Sequence, residues 1–325
     1  MAEEARSNPD ARLDARLVTP ESLLALEAAW EGVWPLRRPE GTSLRSPDDE
    51  DAWVDAAAAR WLGFLARHPE AGDSLRILDD LARAVAALEQ AGSAWFDERL
   101  LAPLTDRAEA IVGPLLAARP GAALPWGEPE NRPARRLLVD RAYRLHRRGE
   151  PAAAAAALAR LLELDPEDGQ ELRGDLLTWR LALGEDAAVL ALAERLADDE
   201  LPEVVWGRVL ALLRSGRAAA AEGALARALA VRPRVAGYLL AEDPDPPDGE
   251  EEDGPHGAGC GCGHDHDHAG GEPGPDGEEG ADDGDGIAHG SPLEAWVYAT
   301  EARPLWAATD GALAWLAARA EAAAG

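Results

Sequence analysis

Large apolar residues recur at intervals of three and four through most of this chain, the spacing of an amphipathic helix rather than the alternation of a strand. From Thr19 to about Arg119 the pattern predicts four helices. Thr19-Pro20-Glu21 reads as an N-cap followed by proline at the first helical position, where a missing amide loses no helical hydrogen bond. Leu23, Leu24, Leu26, Trp30 and Trp34 then form one broad stripe. Ser46-Pro47-Asp48-Asp49 is a second start, leading to Trp53, Ala57, Trp61, Phe64 and Leu65. A third helix carries Leu75, Leu78, Leu81, Val85 and Leu88 and ends near Gly92. The fourth covers 94–118, where Pro103 and Pro114 should kink or divide it.

The proline-rich stretch 120–133 (PGAALPWGEPENRP) marks a boundary, and beyond it a longer period emerges. Gly149 and Gly216 each close the first helix of a pair, and Pro166 and Pro233 each follow the second; both intervals are 67 residues. That is twice the roughly 34 residues of a tetratricopeptide repeat. In this register small Ala142 sits where paired helices cross, and Ala154, Leu158 and Leu161 answer to Ala221, Leu225 and Ala228. A middle pair, 168–183 and 186–197, turns at Gly184. Three hairpins over 134–240 therefore predict a tetratricopeptide-like solenoid, since one hairpin cannot bury its apolar face alone. Residues 19–119 form an N-terminal helical domain, 1–18 a flexible terminus and 120–133 a linker. Residues 241–290 lack large apolar groups and are expected to be a disordered insertion. Ser291-Pro292-Leu293-Glu294 has the form of a capping box and opens two C-terminal helices, within 291–325, that pack on the repeats.

Composition agrees with an all-α fold: there are 70 alanines against 22 Val, Ile and Thr together. Charge adds more. The net charge is −29, and all 32 basic residues are arginine. An acidic total argues against nucleic acid or an anionic membrane as partner, because both are bound by cationic patches. However, 17 of the acidic residues lie in the arginine-free stretch 241–291, which leaves −12 for the rest and weakens an argument drawn from the total. No run approaches the roughly 20 apolar residues of a membrane span. The N-terminus shows no cationic region followed by an apolar one, so no secretory signal is expected. Cys260 and Cys262, one residue apart, cannot be a disulfide framework, and the chain reads as cytoplasmic.

One resemblance stands out. The stretch from Ala228-Leu-Ala-Val-Arg-Pro-Arg-Val-Ala-Gly to Tyr238 resumes after the acidic segment as Gly290-Ser-Pro-Leu-Glu294-Ala295-Trp-Val-Tyr298-Ala299. It runs on to Trp306 and to Gly311-Ala312-Leu313-Ala-Trp-Leu316. With the upstream Trp126-Gly127-Glu128-Pro-Glu130-Asn131-Arg132-Pro133, this order resembles the suppressor of tumorigenicity 7 family and its bacterial tetratricopeptide relatives. The resemblance covers about 125–240 and 290–317. It implies a helical-repeat scaffold and carries over no catalytic chemistry. The chain departs from animal members in lacking membrane-spanning segments, and from relatives in the acidic stretch 241–289.

Two features offer chemistry. His256, Cys260, Cys262, His264, His266 and His268 alternate with Gly and Asp inside the acidic segment. Thiolates and imidazoles are preferred ligands of zinc and nickel, and surrounding carboxylates attract cations. The spacing departs from a closed zinc site of two ligand pairs, so a solvated insertion with incidental histidines stands beside a metal-binding one. The second feature is 132–148, with seven arginines against Asp140 alone. In the tetratricopeptide register Arg136, Val139, Tyr143, His146 and the adjoining Arg147 face the concave groove, where arginine forks can hold a peptide carboxylate. The plainer reading is a solvated helix face. A third joins the two features, with the acidic insertion folding back onto this helix. No nucleophile elbow, zinc-protease or phosphate-loop motif occurs, so the expected function is a non-catalytic scaffold for a protein or peptide. The alternative is metal handling with zinc or nickel.

Overall fold

A computed structural model describes residues 16–34, 59–86, 94–247 and 287–324. The predicted start at Ser46, most of 1–18 and the His/Cys cluster lie outside them. All regular structure among the described residues is helical. The chain forms two compact units, Met1–Leu183 and Gly184–Gly325. Their division falls at Gly184, while the proline-rich stretch 120–133 is built into the first unit.

In the first unit, α1 (Glu21–Glu31) starts one residue later than predicted. Pro20 takes the cap position with no side-chain bond, and the Thr19 hydroxyl donates instead to Glu27 (3.3 Å). Glu27 is buried and also accepts from Ser74 Oγ (2.6 Å), so the threonine and the serine each satisfy one oxygen of a buried carboxylate. Helix α2 (59–67) and α3 (Leu75–Ala86) close a core of Leu23, Leu26, Trp30, Phe64, Ala71 and Ile77. The Trp30 indole N–H donates to Asp80 (2.9 Å), which lets its whole ring be buried without an unmet donor. The fourth predicted helix is divided near Pro103: a π-wound turn, Asp97–Leu101, precedes α4 (Ala102–Ala117). Proline has no amide to give the preceding turn, which therefore widens. Pro114 sits inside α4 without ending it.

The proline-rich stretch packs tightly. Leu124 is fully buried and its amide donates to the Leu164 carbonyl (2.6 Å). Asn131, also fully buried, accepts from the Leu17 amide and donates to the Pro125 carbonyl. Trp126 lies so close to Gly169 that a Cβ there would meet its ring at 2.8 Å. The Trp126–Pro133 signature is thus a brace ahead of α5 (Arg132–Arg147), which pairs with α6 (Pro151–Leu164); α7 (Arg173–Ala182) packs on α6.

In the second unit α8 (Asp186–Arg195) packs on α9 (Pro202–Arg214), and α9 pairs with α10 (Ala218–Val231). Then come α11 (Arg234–Leu240), α12 (Pro292–Ala307) and α13 (Ala312–Ala324). The predicted cap is present: Ser291 Oγ accepts from the Glu294 amide (3.0 Å). Glu294 Oε2 accepts from the Gly290 amide rather than from that of Ser291, whose N–H goes to the Ala288 carbonyl. Helix α12 covers α9, with Trp206 and Trp306 fully buried and 6.3 Å apart edge to face. The flanks of the acidic segment are held side by side: Trp296 Nε1 donates to Pro244 O, and Arg234 to Gly290 O.

The hairpins α5–α6 and α9–α10 share their construction. Gly149 (φ +79°) and Gly216 (φ +71°) adopt the left-handed conformation that glycine reaches without a Cβ clash. Each donates to the carbonyl three residues back, and the next amide, of Glu150 or Arg217, donates five residues back. This is the Schellman arrangement, which satisfies the last carbonyls of a helix. Ala154, Leu158 and Leu161, like Ala221, Leu225 and Ala228, are almost wholly buried, so the second helices present the same small–large–variable face.

Candidate functional site

Seven arginines in one segment look like a free cationic surface in sequence; in the folded unit they are matched. Arg135 is fully buried and donates to Gln170 Oε1 (2.7 Å) and to the Leu124 and Leu161 carbonyls, with Asp165 at 3.5 Å. Burial pulls its pKa below the ordinary arginine value, against the charges of Asp165 and Asp168. Arg136 holds buried Asp79 through Nε (2.9 Å) and Nη2 (2.5 Å). Arg147 holds buried Asp97 through two parallel bonds of 2.6 and 2.8 Å. Arg141 and Arg144 both reach Asp106, and Arg148 reaches Glu98 and Glu150. Arg132 donates to the Trp126 carbonyl, and Arg132 and Arg136 both lie over the Trp126 ring. Fork-to-carboxylate pairs of this kind are the stronger sort of ion pair.

The face predicted from sequence does gather, but with other chemistry. Arg136 and Arg147 meet it as neutralised pairs. The Tyr143 hydroxyl donates to Asp175 of α7, its ring lies edge-on to Trp179 (5.3 Å), and the exposed His146 ring stacks on the same indole (4.3 Å, 9°). Between the two pairs lies Asp140. Burial, reinforced by the charge of Asp79, pushes its carboxyl up to about 6, against the pull of Arg147 and Arg136. Burial likewise pushes Asp79 up, though its bond to Arg136 opposes this.

Each hairpin also carries a cleft against the helix that precedes it. The cleft of the first unit, between α4, α5 and α6, measures about 220 Å³, and that of the second, between α8, α9 and α10, about 360 Å³. The two are lined by matching positions 67 residues apart. Leu138 answers to Val205, Arg141 to Arg208, Ala153 to Ala220, Ala156 to Gly223, Ala157 to Ala224 and Arg160 to Arg227. Their electrostatics differ. In the first, Asp106 and Glu109, one turn apart on α4, hold Arg141 (3.2 Å) and Arg160 (2.8 Å). In the second, Arg208 has no ion pair or hydrogen bond among the described residues, and Arg227 has only a long bond to the Asp199 carbonyl (3.4 Å). Arg217, where the first hairpin has Glu150, adds a third cation without a partner among the described residues. Sequence reasoning missed this cleft, although the 67-residue register already sets Arg141 and Arg160 against Arg208 and Arg227.

His256, Cys260, Cys262, His264, His266 and His268 lie outside the described residues, and among those described no group of three or more His, Cys, Asp or Glu is placed to hold a metal ion. No described helix is long and apolar enough to cross a membrane. Fold and surfaces define an all-helical protein with two like hairpins. Comparisons with protein-family models, curated proteins and solved structures found no match.

Proposed function

We propose that the chain is a non-catalytic, tetratricopeptide-like scaffold that holds a protein or peptide in the cytoplasm. The observation that supports this most is the recurrence, 67 residues apart, of one hairpin with the same left-handed glycine turn and the same buried small residues. The resemblance to the bacterial relatives of the suppressor of tumorigenicity 7 family points the same way. On the α5 face a partner meets salt-bridged Arg136 and Arg147, Tyr143, and the exposed imidazole of His146 on its indole, a mixed polar and aromatic surface suited to peptide contact. Nucleic acid is disfavoured there because the arginines are already matched by aspartates. The test is to isolate the tagged chain from its native cells and measure the mass of the particle by light scattering. A stoichiometric complex with a second protein is the expected result; recovery of the chain alone under all growth conditions contradicts it.

Metal handling is the second reading, favoured by six thiol and imidazole side chains between 256 and 268. Zinc or nickel titrated into chelator-stripped protein should bind the intact chain and fail to bind a chain lacking 241–289. Equal binding by both would remove this reading.

A further inference from the structure

The two clefts are a natural comparison, because one shows how the other can be filled. Both have an alanine-lined floor between the paired helices and two arginines at matching places, Arg141 and Arg160 in the first unit, Arg208 and Arg227 in the second. In the first, α4 supplies Asp106 and Glu109, three residues apart on one helix face; Asp106 takes Arg141, together with Arg144 from outside the cleft lining, and Glu109 takes Arg160. In the second, the only carboxylate that the preceding helix α8 supplies to the lining is Glu194, and it makes no ion pair with the arginines. Asp199 accepts instead from the Leu201 amide at the start of α9 (2.9 Å). The cleft is also the roomier of the two, and Arg217 in place of Glu150 increases its positive charge.

We propose that this second-unit cleft is a docking site for an acidic peptide of a partner protein, one that presents two carboxylates about a helical turn apart to Arg208 and Arg227. The choice of occupant rests on the scaffold reading above, on charge complementarity, and on the arrangement that α4 makes in the sister cleft. Apolar stems of the acidic side chains lie on Ala224 and Val205, and the carboxylates meet the guanidinium forks, where charge-assisted bonds are strongest. Arg217, an exposed residue of the same lining, attracts the peptide as it approaches, so association slows as salt rises. Nothing in the folded second unit depends on these arginines for an internal ion pair, so their function can be removed with little effect on folding.

The probe is a fluorescent, end-blocked alanine-based helical peptide with two glutamates three residues apart, compared with a twin carrying glutamine at both places. Anisotropy should show the glutamate peptide binding the full chain, at least about tenfold more weakly to Arg208→Glu/Arg227→Glu. The glutamine twin should not bind. The variant should keep its circular dichroism spectrum and thermal midpoint. Arg141→Glu/Arg160→Glu should instead lower the thermal midpoint and leave peptide affinity unchanged. Equal binding to the wild type and the Arg208/Arg227 variant, or no binding by either, overturns the proposal. So does a self-associated chain that this variant dissociates, because a second copy would then be the occupant. Binding seen only after residues 248–286 are removed also overturns it, making that acidic segment the occupant. A partner retained equally by wild type and variant leaves the scaffold reading standing and removes only this site.

Discussion

Hairpins α5–α6 and α9–α10 end their first helices on the same turn and bury the same small residues, yet their outward faces differ in kind. The first hairpin surrounds itself with charge. Arg135, Arg136, Arg144 and Arg147 are all at least half-buried or tied to aspartates of neighbouring helices. The second puts apolar residues at two of these places, Pro202 for Arg135 and Ala211 for Arg144, and Trp206 for the smaller Val139, while Glu203 and Arg214 keep charge where Arg136 and Arg147 stand. One backbone device thus supports two solutions, a face rich in ion pairs and one in which apolar residues replace part of that charge. The lesson is that the hairpin geometry is set by its turn and its small crossing residues, while the outer faces follow whatever packs against them. In the cleft the relation is reversed: the first hairpin's arginines are matched, and the second's are left to solvent.

That contrast can be broken most severely through the buried positions. Trp206→Ala should cost about 3–5 kcal/mol, because a large side chain at zero exposure leaves a cavity beneath α12. Val139→Ala, at the matching but half-buried place, should cost about 1 kcal/mol. Denaturant unfolding followed by hydrogen exchange in each hairpin would read both. Arg135→Ala should cost a similar 3–5 kcal/mol, since it strands buried Asp165 without its cation and frees two carbonyls. Pro202→Ala at the equivalent place should cost less than about 1 kcal/mol.

Smaller in effect is Asp140. Its folded-state pKa is raised above the ordinary value of 3.8, so the folded chain binds that proton more tightly than the unfolded chain does. Ionisation therefore works against folding: this group's contribution is favourable at low pH and falls as pH rises from about 4 to about 6. Asp140→Asn should stabilise the first unit at neutral pH by an amount on the order of 2 kcal/mol and flatten stability between those pH values. Unfolding curves at pH 4 and pH 7 that shift equally on substitution would contradict this. The turns give an effect of similar size. Gly149→Ala and Gly216→Ala should each cost about 1–2 kcal/mol, and nearly the same amount. Neither glycine has any atom within 4 Å of an added Cβ, so the penalty is backbone conformation alone. A large inequality would mean that the turns differ in ways their hydrogen bonds do not show.

Much of this architecture is legible in the sequence, and for identifiable reasons. Glycine at 149 and 216 and proline at 166 and 233 act locally, so the hairpin ends could be placed from the chain itself. The capping box at Ser291 is likewise local. What could not be read is which charges meet across elements. Arg136 finds Asp79 and Arg147 finds Asp97 only because α3 and the π-wound turn lie against α5, partners 57 and 50 residues away. Seven arginines counted along one helix and its cap therefore exaggerate the available charge. Pro103 signals a division of the fourth helix, but nothing local tells that the chain widens into a π turn rather than breaking. The role of Trp126 was also hidden, since its contact is the missing side chain of Gly169.

The central claim is that two like hairpins differ in the state of their cleft arginines, closed by α4 carboxylates in one and open in the other. Arginine-selective modification with phenylglyoxal, followed site by site by mass spectrometry on the folded chain, tests it directly, and the absence of lysine keeps the reading clean. Arg208, Arg217 and Arg227 should react several-fold faster than Arg141 and Arg160. Equal rates across the two clefts would contradict the account.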